Sequence, residues 1–145
     1  MILRELKVSY AAIEGVVSRP QLTTPADAVR VLFPLLDVEP GEIFGVLLLN
    51  TKRCVLAWST ISRGSLSATV VEPREVFRAA ILGNAAAIIL AHNHPSGDPT
   101  PSPNDQELTR RLTAGAVLMG ITIDDHVIVG NETGKYFSFK EAGRL

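Results

Sequence analysis

The apolar residues of this chain follow two periods, one typical of strands and one typical of helices. Short, nearly continuous apolar runs predict strands at residues 43–49, 54–61, 66–71, 86–91, 121–129 and 136–139. Apolar residues spaced three and four apart predict helices that begin near Thr24, Pro73 and Gln106. Because strands and helices are mixed without strict alternation, the pattern favours an α+β or mixed α/β fold, with a mixed central sheet flanked by helices.

Three parts of the chain allow more specific predictions. Residues 43–49 are almost wholly apolar, which predicts a central strand that continues as an antiparallel meander through 54–61 and 66–71. Pro34 is expected to end or kink the first helix. A weak edge-strand pattern occupies the N-terminus, where polar residues alternate with Leu6, Val8 and Tyr10.

The same spacing predicts which side chains are buried. In the second helix they are Val76, Phe77, Ala80 and Ile81. In the third helix they are Leu108, Leu112, Ala116 and Met119, and Gly120 is expected to stop that helix. We interpret Cys54 as buried filler. The remaining large rings are interpreted as core or edge aromatics: Trp58, Phe77 and Tyr136.

The composition narrows the class of protein. A chain of 145 residues is one domain by length, and its 46% apolar and 20% charged residues are those of an ordinary globular protein. The net charge of -1 offers no attraction for nucleic acid or an anionic membrane, so we expect neither as a direct partner. A single cysteine fits a reducing compartment, and Arg4, Glu5 and Lys7 interrupt what would be a signal peptide. No apolar run is long enough for a membrane span, so we expect a cytoplasmic protein.

Residues 91–105 hold the candidate chemistry. His92 and His94 are two positions apart at the end of a predicted strand, so their rings share one face and can converge on one ion. A proline-rich loop follows, and Asp105 stands in the first turn of the next helix. Two imidazoles and one carboxylate leave a fourth tetrahedral position for water, the pattern of a catalytic zinc site. The spacing therefore predicts one metal ion held by His92, His94 and Asp105.

A purely structural interpretation of the same residues stays open. The stretch 102–105 is a helix start in its own right, with Ser102 as N-cap and Asp105 closing a capping box. A His-x-His pair also occurs on strands that simply carry two polar residues. The two interpretations are compatible, because a carboxylate that caps a helix can still bind a metal.

His-x-His, seven residues and then Ser-x-x-Asp resembles the signature of the JAMM metalloproteases, the family with JAB or MPN domains. His92-Asn93-His94-Pro95-Ser96-Gly97-Asp98-Pro99 is similar to the RadC-like branch of that family in particular. Other similar stretches are Gly64-Ser65-Leu66, Pro73-Arg74-Glu75-Val76-Phe77 and Asp125-His126. The resemblance runs from about Glu42 to the C-terminus and implies a cytidine-deaminase-like fold. One departure is Glu72, where the branch usually has a histidine; a substrate contact there would alter specificity.

The resemblance implies a zinc-dependent metallohydrolase with one zinc per chain, which cleaves a peptide or isopeptide bond in a peptide or protein substrate. It also implies that Glu42 is the base that hydrogen-bonds the zinc-bound water and that Ser102 donates a hydrogen bond to the oxyanion. From the residues alone, Glu42 only opens a very apolar strand, and a solvated turn glutamate is an equal alternative. Glu39 is the rival base, but it precedes the turn at Pro40-Gly41 and is expected to be exposed.

Two more titratable residues receive structural roles. Asp98 is the other carboxylate within the loop, and we expect it to bond loop amides next to Gly97. His126 follows two aspartates in a predicted strand. We interpret it as a structural hydrogen-bonder and not as a third imidazole ligand.

The alternative function is a DNA-repair-associated or DNA-processing role, which the name RadC suggests. Longer members of the branch carry an N-terminal helix-hairpin-helix region. The residues before Glu42 are too few for that unit, and no basic stripe replaces it. We therefore divide the chain into an N-terminal extension at 1–41, a strand plus a short helix packed on the domain, and a metalloprotease domain at 42–145. A gel shift that weakens as salt rises would support direct DNA binding instead.

Overall fold

The fold is a mixed sheet with helices on both faces, seen in a computed structural model that describes residues 2–11, 14, 19–64 and 71–145. The elements in chain order are α1 (Pro25–Leu36), β1 (Ile43–Leu49), β2 (Val55–Arg63), α2 (Pro73–Leu82), β3 (Ala87–His94), α3 (Pro103–Met119), β4 (Thr122–Gly130) and β5 (Lys135–Ser138). The five strands form one sheet in the order β2-β1-β3-β4-β5. β3 and β4 are parallel and joined by α3, whereas the other neighbours are antiparallel. The predicted mixed sheet flanked by helices is confirmed.

The sheet is buried on both faces, which explains the apolar run in its centre. α2 and α3 cover one face, where they pack against Phe44, Val46, Ile88 and Leu90. α1 covers the other face, where it packs against Leu47, Leu49, Ile89 and Ala91. Since successive side chains point to opposite faces, all seven residues of β1 are buried, and the predicted central strand is confirmed. Burying each leucine or isoleucine there stabilises the fold by about 1.5–3 kcal/mol.

The first helix begins as its sequence predicts but ends later. Thr24 and Asp27 form a capping box at its N-terminus. Hydrogen bonds from Thr23 and Thr24 hold the pKa of Asp27 well below its usual range. Pro34 does not end α1, which continues to Leu36. Leu36 is fully buried against the sheet, and this packing keeps the last turn helical despite the amide hydrogen that Pro34 lacks.

The N-terminal edge strand is not formed. Residues 2–11 belong to no strand, and Leu6, Val8 and Tyr10 are 77%, 51% and 56% exposed. Alternation stabilises a strand when a neighbour pairs with it and one face is covered, and neither condition holds here. Tyr10 instead donates a hydrogen bond from its hydroxyl to the carbonyl of Gly83 (2.8 Å). Residues 66–70 of the strand predicted at 66–71 lie outside the described residues.

Helical spacing correctly predicted most of the buried side chains of α2 and α3, but it predicted burial wrongly at the C-terminal ends of both helices. The predicted residues that are buried are Val76, Phe77, Ala80, Leu108, Leu112 and Ala116. Ile81 and Met119 are 59% and 52% exposed, so their predicted burial is wrong. Both lie in the last turns of their helices. Cys54 is half-buried and not buried filler, and Trp58 and Tyr136 are half-buried edge aromatics.

Within the described part of the chain, no helix combines the length and the apolar character needed to cross a membrane.

The pairing of β3 with β4 contains an irregularity that matters for the site. Ile88 lies opposite Ile123, but the next residue, Ile89, lies opposite Asp125. The extra residue, Asp124, reverses the alternation, so Ile123 and His126 both face α3 although they are three positions apart. Asp124 pairs with Arg53 at 2.9 Å and so holds this bulge. The irregularity places the His126 ring on the same face of the sheet as the His92 ring.

Candidate metal centre

The two histidines end β3 on the face that α3 covers. His92 and His94 continue the row of Ile88 and Leu90 along that face, because residues two apart on a strand point the same way. The His92 side chain is fully buried, whereas the His94 side chain is 15% exposed. Their Nε2 atoms lie 3.1 Å apart. The site therefore has one ligand ring in the core and one at its opening.

Asp105 reaches this pair from the first turn of α3. Its Oδ1 lies 3.2 Å from His92 Nε2, and its Oδ2 lies 3.4 Å from His94 Nε2. The capping box is formed as well, since Ser102 Oγ accepts the Asp105 amide (3.1 Å) and Asp105 Oδ2 accepts the Ser102 amide (2.7 Å). The cap fixes the rotamer of Asp105 toward the histidines. The structural interpretation and the metal interpretation thus describe one arrangement.

These three side chains could hold a metal ion. With metal–ligand bonds of about 2.0–2.2 Å, neighbouring ligand atoms on a tetrahedral zinc are about 3.3 Å apart. In the site the two Nε2 atoms lie 3.1 Å apart, and the nearest Asp105 oxygens lie 3.2 Å from His92 (Oδ1) and 3.4 Å from His94 (Oδ2); with one ligand atom per residue, all three lie within 4.8 Å of one another. His92, His94 and Asp105 would hold such an ion, and the His94 side chain is the most exposed of the three.

The hydrogen bonds of His94 direct a lone pair into the site. His94 Nδ1 lies 2.7 Å from the backbone carbonyl of Asp98, which can only accept, so Nδ1 carries the hydrogen. Nε2 is then the nitrogen available to a cation. Hydrogen bonding to Asp105 raises the pKa of His94, which means that in the absence of a metal a proton occupies this position more readily than in a free imidazole.

The charges of the site favour a cation. Burial alone raises the pKa of Asp105, but its contacts with the His92 and His94 rings outweigh it and hold this pKa far below its usual range. Burial lowers the pKa of His92, which keeps that ring neutral. A carboxylate and two imidazole nitrogens that face one another are a donor set that divalent metal ions take in proteins.

Glu42 directly precedes β1 and is half-buried beside the site. Its negative charge is one of the influences that raise the pKa values of His92 and His94, after the larger effects of burial and of Asp105. The buried Asn93 side chain fixes both neighbours of Glu42: its Oδ1 accepts the amide of Ile43 (2.7 Å), and its Nδ2 donates to the carbonyl of Gly41 (3.0 Å). Because Asn93 stands between the two histidines, the backbone at Glu42 is tied to the strand that carries them.

The other carboxylates near the site have separate tasks. Glu39 is half-buried, so the expectation of an exposed residue is wrong; it pairs with Arg63 at 3.5 Å. Asp98 bonds a loop amide as predicted, since its Oδ1 accepts from the backbone (3.0 Å) and the hydroxyl (2.7 Å) of Thr100. Glu72 is exposed at the N-cap of α2.

Sequence reasoning missed two residues that organise the site, Asn93 and Thr109, whereas the predicted role of His126 as a structural hydrogen-bonder is confirmed. Asn93 was only the spacer of the His-x-His pair, although a polar residue that ends an apolar strand was a usable signal. The Thr109 hydroxyl on α3 lies 2.6 Å from the ring of His126 on β4, and that ring lies 2.9 Å from His92. His126 is fully buried and lies outside the group of side chains that could hold the ion.

A substitution at Gly130 should disturb the loop of the site. Gly130 pairs with His94, and a Cβ at this position would overlap the carbonyl oxygen of Gly97 and lie 2.9 Å from its carbon. Backbone atoms cannot move aside cheaply, so we expect Gly130→Ala to lower the free energy of unfolding by about 1–3 kcal/mol. Urea denaturation measures this, with Gly41→Ala as the control because a Cβ on Gly41 meets nothing within 4 Å. Equal stability of the two variants would contradict the close packing.

Loss of the Ser102 hydroxyl should weaken the start of α3. Ser102→Ala removes the bond to the Asp105 amide, which we expect to cost about 1 kcal/mol of stability. Ser102→Thr keeps the oxygen and should retain most of that stability. Thermal denaturation of both variants in the presence of a chelator isolates the cap from any bound metal. If the alanine variant has the same melting temperature as the wild type, the capping bond makes no measurable contribution to stability.

Comparison with known proteins gives the family of this chain. The family model described as RadC-like JAB domain matches residues 22–144. The UPF0758 protein of Caldanaerobacter subterraneus is 48% identical over 122 residues, which are 84% of this chain and 52% of that protein. The UPF0758 protein of Symbiobacterium thermophilum is 44% identical over 144 residues, 99% of this chain and 61% of that protein.

A third relative extends over the whole chain. The UPF0758 protein of Clostridium beijerinckii is 39% identical over 145 residues, 100% of this chain and 62% of that protein. This chain thus spans somewhat more than half the length of the relatives that it matches. The family model and these identities confirm the resemblance seen in the sequence, and the chain belongs to the family of RadC-like JAB domains.

Proposed function

We propose that this chain is a zinc-dependent metallohydrolase of the JAMM type that cleaves a peptide or isopeptide bond. The observation that carries the proposal is the trio of His92, His94 and Asp105, whose possible ligand atoms all lie within 4.8 Å of one another. Three protein ligands would leave the fourth position of a tetrahedral zinc ion for water. A zinc ion bound there would lower the pKa of a water molecule to about 7 and polarise a substrate carbonyl. Structural zinc sites, in contrast, use four protein ligands.

Glu42 and Ser102 complete the proposed machinery. Glu42 would accept the proton of the attacking water and deliver it to the amine as the carbon–nitrogen bond breaks. Its anchored backbone beside the histidine strand supports this role. Ser102 Oγ accepts the Asp105 amide, so its hydroxyl hydrogen remains able to donate to the oxyanion of the substrate.

The substrate is proposed to be a peptide or protein and not DNA. The net charge of -1 offers no electrostatic footprint for phosphates. The partly exposed edge of His94 gives a carbonyl group access to the ion from the surface of the domain. Because this chain covers only part of the length of its relatives, the activity proposed is that of this domain.

Metal analysis followed by an amidase assay tests the proposal. The protein should contain about one zinc per chain and hydrolyse peptides or lysine isopeptides, and a chelator should abolish the activity until zinc is restored. Asp98→Asn is the matched control, since it neutralises a carboxylate of the same loop that bonds Thr100 and not the ion. Protein that carries stoichiometric zinc but cleaves none of a broad peptide and isopeptide library would argue against the hydrolase.

A further inference from the structure

Behind the candidate metal centre lies a buried chain of hydrogen-bonding groups that ends at the backbone of a ligand residue. His92 Nδ1 lies 2.9 Å from His126 Nε2, and His126 Nδ1 lies 2.6 Å from Thr109 Oγ1. Thr109 Oγ1 in turn lies 2.6 Å from the backbone carbonyl of Asp105. His92, His126 and Thr109 are each at least 97% buried, so water does not compete for these bonds.

The direction of every hydrogen in this chain follows from the carbonyl at its end. A carbonyl oxygen only accepts, and two oxygens 2.6 Å apart repel unless a hydrogen lies between them, so the Thr109 hydroxyl donates to Asp105. Thr109 Oγ1 must then accept from His126 Nδ1–H. The His126 ring is fully buried and its two nitrogens face His92 and Thr109, so a neutral ring with its single hydrogen on Nδ1 leaves Nε2 as an acceptor.

The last bond fixes the tautomer of the ligand. Because His126 Nε2 accepts, His92 Nδ1 must donate, and His92 Nε2 is left with a lone pair directed at His94 and Asp105. The opposite tautomer would place a hydrogen where the ion belongs. The His126 ring stacks on Phe139, with ring centroids 4.8 Å apart and planes within 9°, and this keeps the ring from rotating. We call the hydrogen-bonded groups of His92, His126 and Thr109 the relay.

We propose that His126 and Thr109 are positioning residues that set the tautomer and orientation of His92 for metal binding. This inference rests on the proposed metal site and adds to it the groups that prepare one ligand. Metal-bound histidines commonly donate their second ring nitrogen to a carboxylate or a carbonyl, and loss of that partner costs about 10- to 100-fold in metal affinity. Here the acceptor is a neutral imidazole that a threonine hydroxyl holds in the accepting tautomer.

Substitutions at Thr109 test the relay with little change in shape. Thr109→Val removes the hydroxyl and leaves His126 free to adopt the other tautomer, so the dissociation constant for zinc should rise by about 10- to 100-fold. Thr109→Ser keeps the hydroxyl and should restore wild-type affinity. Thr113→Val is the matched control one turn later on α3, because the buried Thr113 hydroxyl has no hydrogen-bond partner in the part of the chain that the structure describes. Competition with a chromophoric chelator measures all four proteins.

Nitrogen-15 NMR of the imidazole rings in metal-free protein supplies a readout that does not depend on metal or activity. Wild-type His92 should show a protonated Nδ1 and an unprotonated Nε2, and Thr109→Val should populate the opposite tautomer. His126→Gln keeps an acceptor near the position of Nε2 and should bind zinc more tightly than His126→Leu. The proposal is overturned if wild-type His92 carries its hydrogen on Nε2, or if Thr109→Val binds zinc like Thr113→Val.

The two proposals fail in different ways. If the protein cleaves no amide bond but Thr109→Val still weakens zinc binding and changes the His92 tautomer, the relay stands and the hydrolase does not. If the enzyme hydrolyses amides and the Thr109 variants match the wild type in affinity and tautomer, the relay is overturned and the hydrolase stands.

Discussion

Replacing His94 with alanine is expected to abolish stoichiometric metal binding and, with it, all hydrolytic activity. Two ligands remain in that variant, His92 and Asp105, and a divalent ion held by two groups exchanges freely with water and chelators. His94 is the ligand to choose because its side chain is partly exposed, so its removal leaves a much smaller cavity than removal of the fully buried His92.

Metal content after gel filtration and a calorimetric zinc titration measure this effect. Asp98→Asn again serves as the control, since its carboxylate bonds Thr100 while its backbone carbonyl still fixes the His94 ring. The folded state of the His94→Ala variant is checked by its circular dichroism. A variant that keeps one tightly bound zinc per chain would show that the ion sits elsewhere, and the assignment of the site would have to be abandoned.

Glu42→Gln should separate metal binding from catalysis. The amide of glutamine has almost the same shape as the carboxylate but cannot accept the proton of the attacking water. General base catalysis contributes about 10²- to 10⁴-fold, so we expect turnover to fall by that factor while zinc remains bound. Glu42 lies outside the group of three side chains that could hold the ion, which is why metal content should not change.

The matched control for this experiment is Glu39→Gln. Glu39 lies before the turn at Pro40-Gly41, and Glu42 follows it. The two residues carry the same charge, but the Glu39 carboxylate pairs with Arg63. Its substitution should change turnover little. Full activity of Glu42→Gln combined with loss of activity in Glu39→Gln would reverse the assignment of the base, and full activity of both would remove the base from this segment altogether.

Local rules were sufficient where one element determines the geometry. Strand alternation puts His92 and His94 on one face, and the capping box at Ser102 aims Asp105, so the spacing alone predicted which groups meet. Local rules failed where a second element decides the outcome. The apolar periodicity at Ile81 and Met119 is real, but in the last turns of α2 and α3 no other element of the described chain covers these side chains, which stay more than half exposed.

The sequence by itself determined the mixed architecture, the central strand and the convergence of His92, His94 and Asp105, because each follows from local spacings and from the start of one helix. Only the tertiary structure decided the environment behind them. A single extra residue, Asp124, reverses the facing of β4, and without it His126 would point to the opposite side of the sheet from His92. Side chains from β3, α3 and β4 then meet in a space closed to water, and no local pattern encodes that meeting because it depends on how distant segments pair.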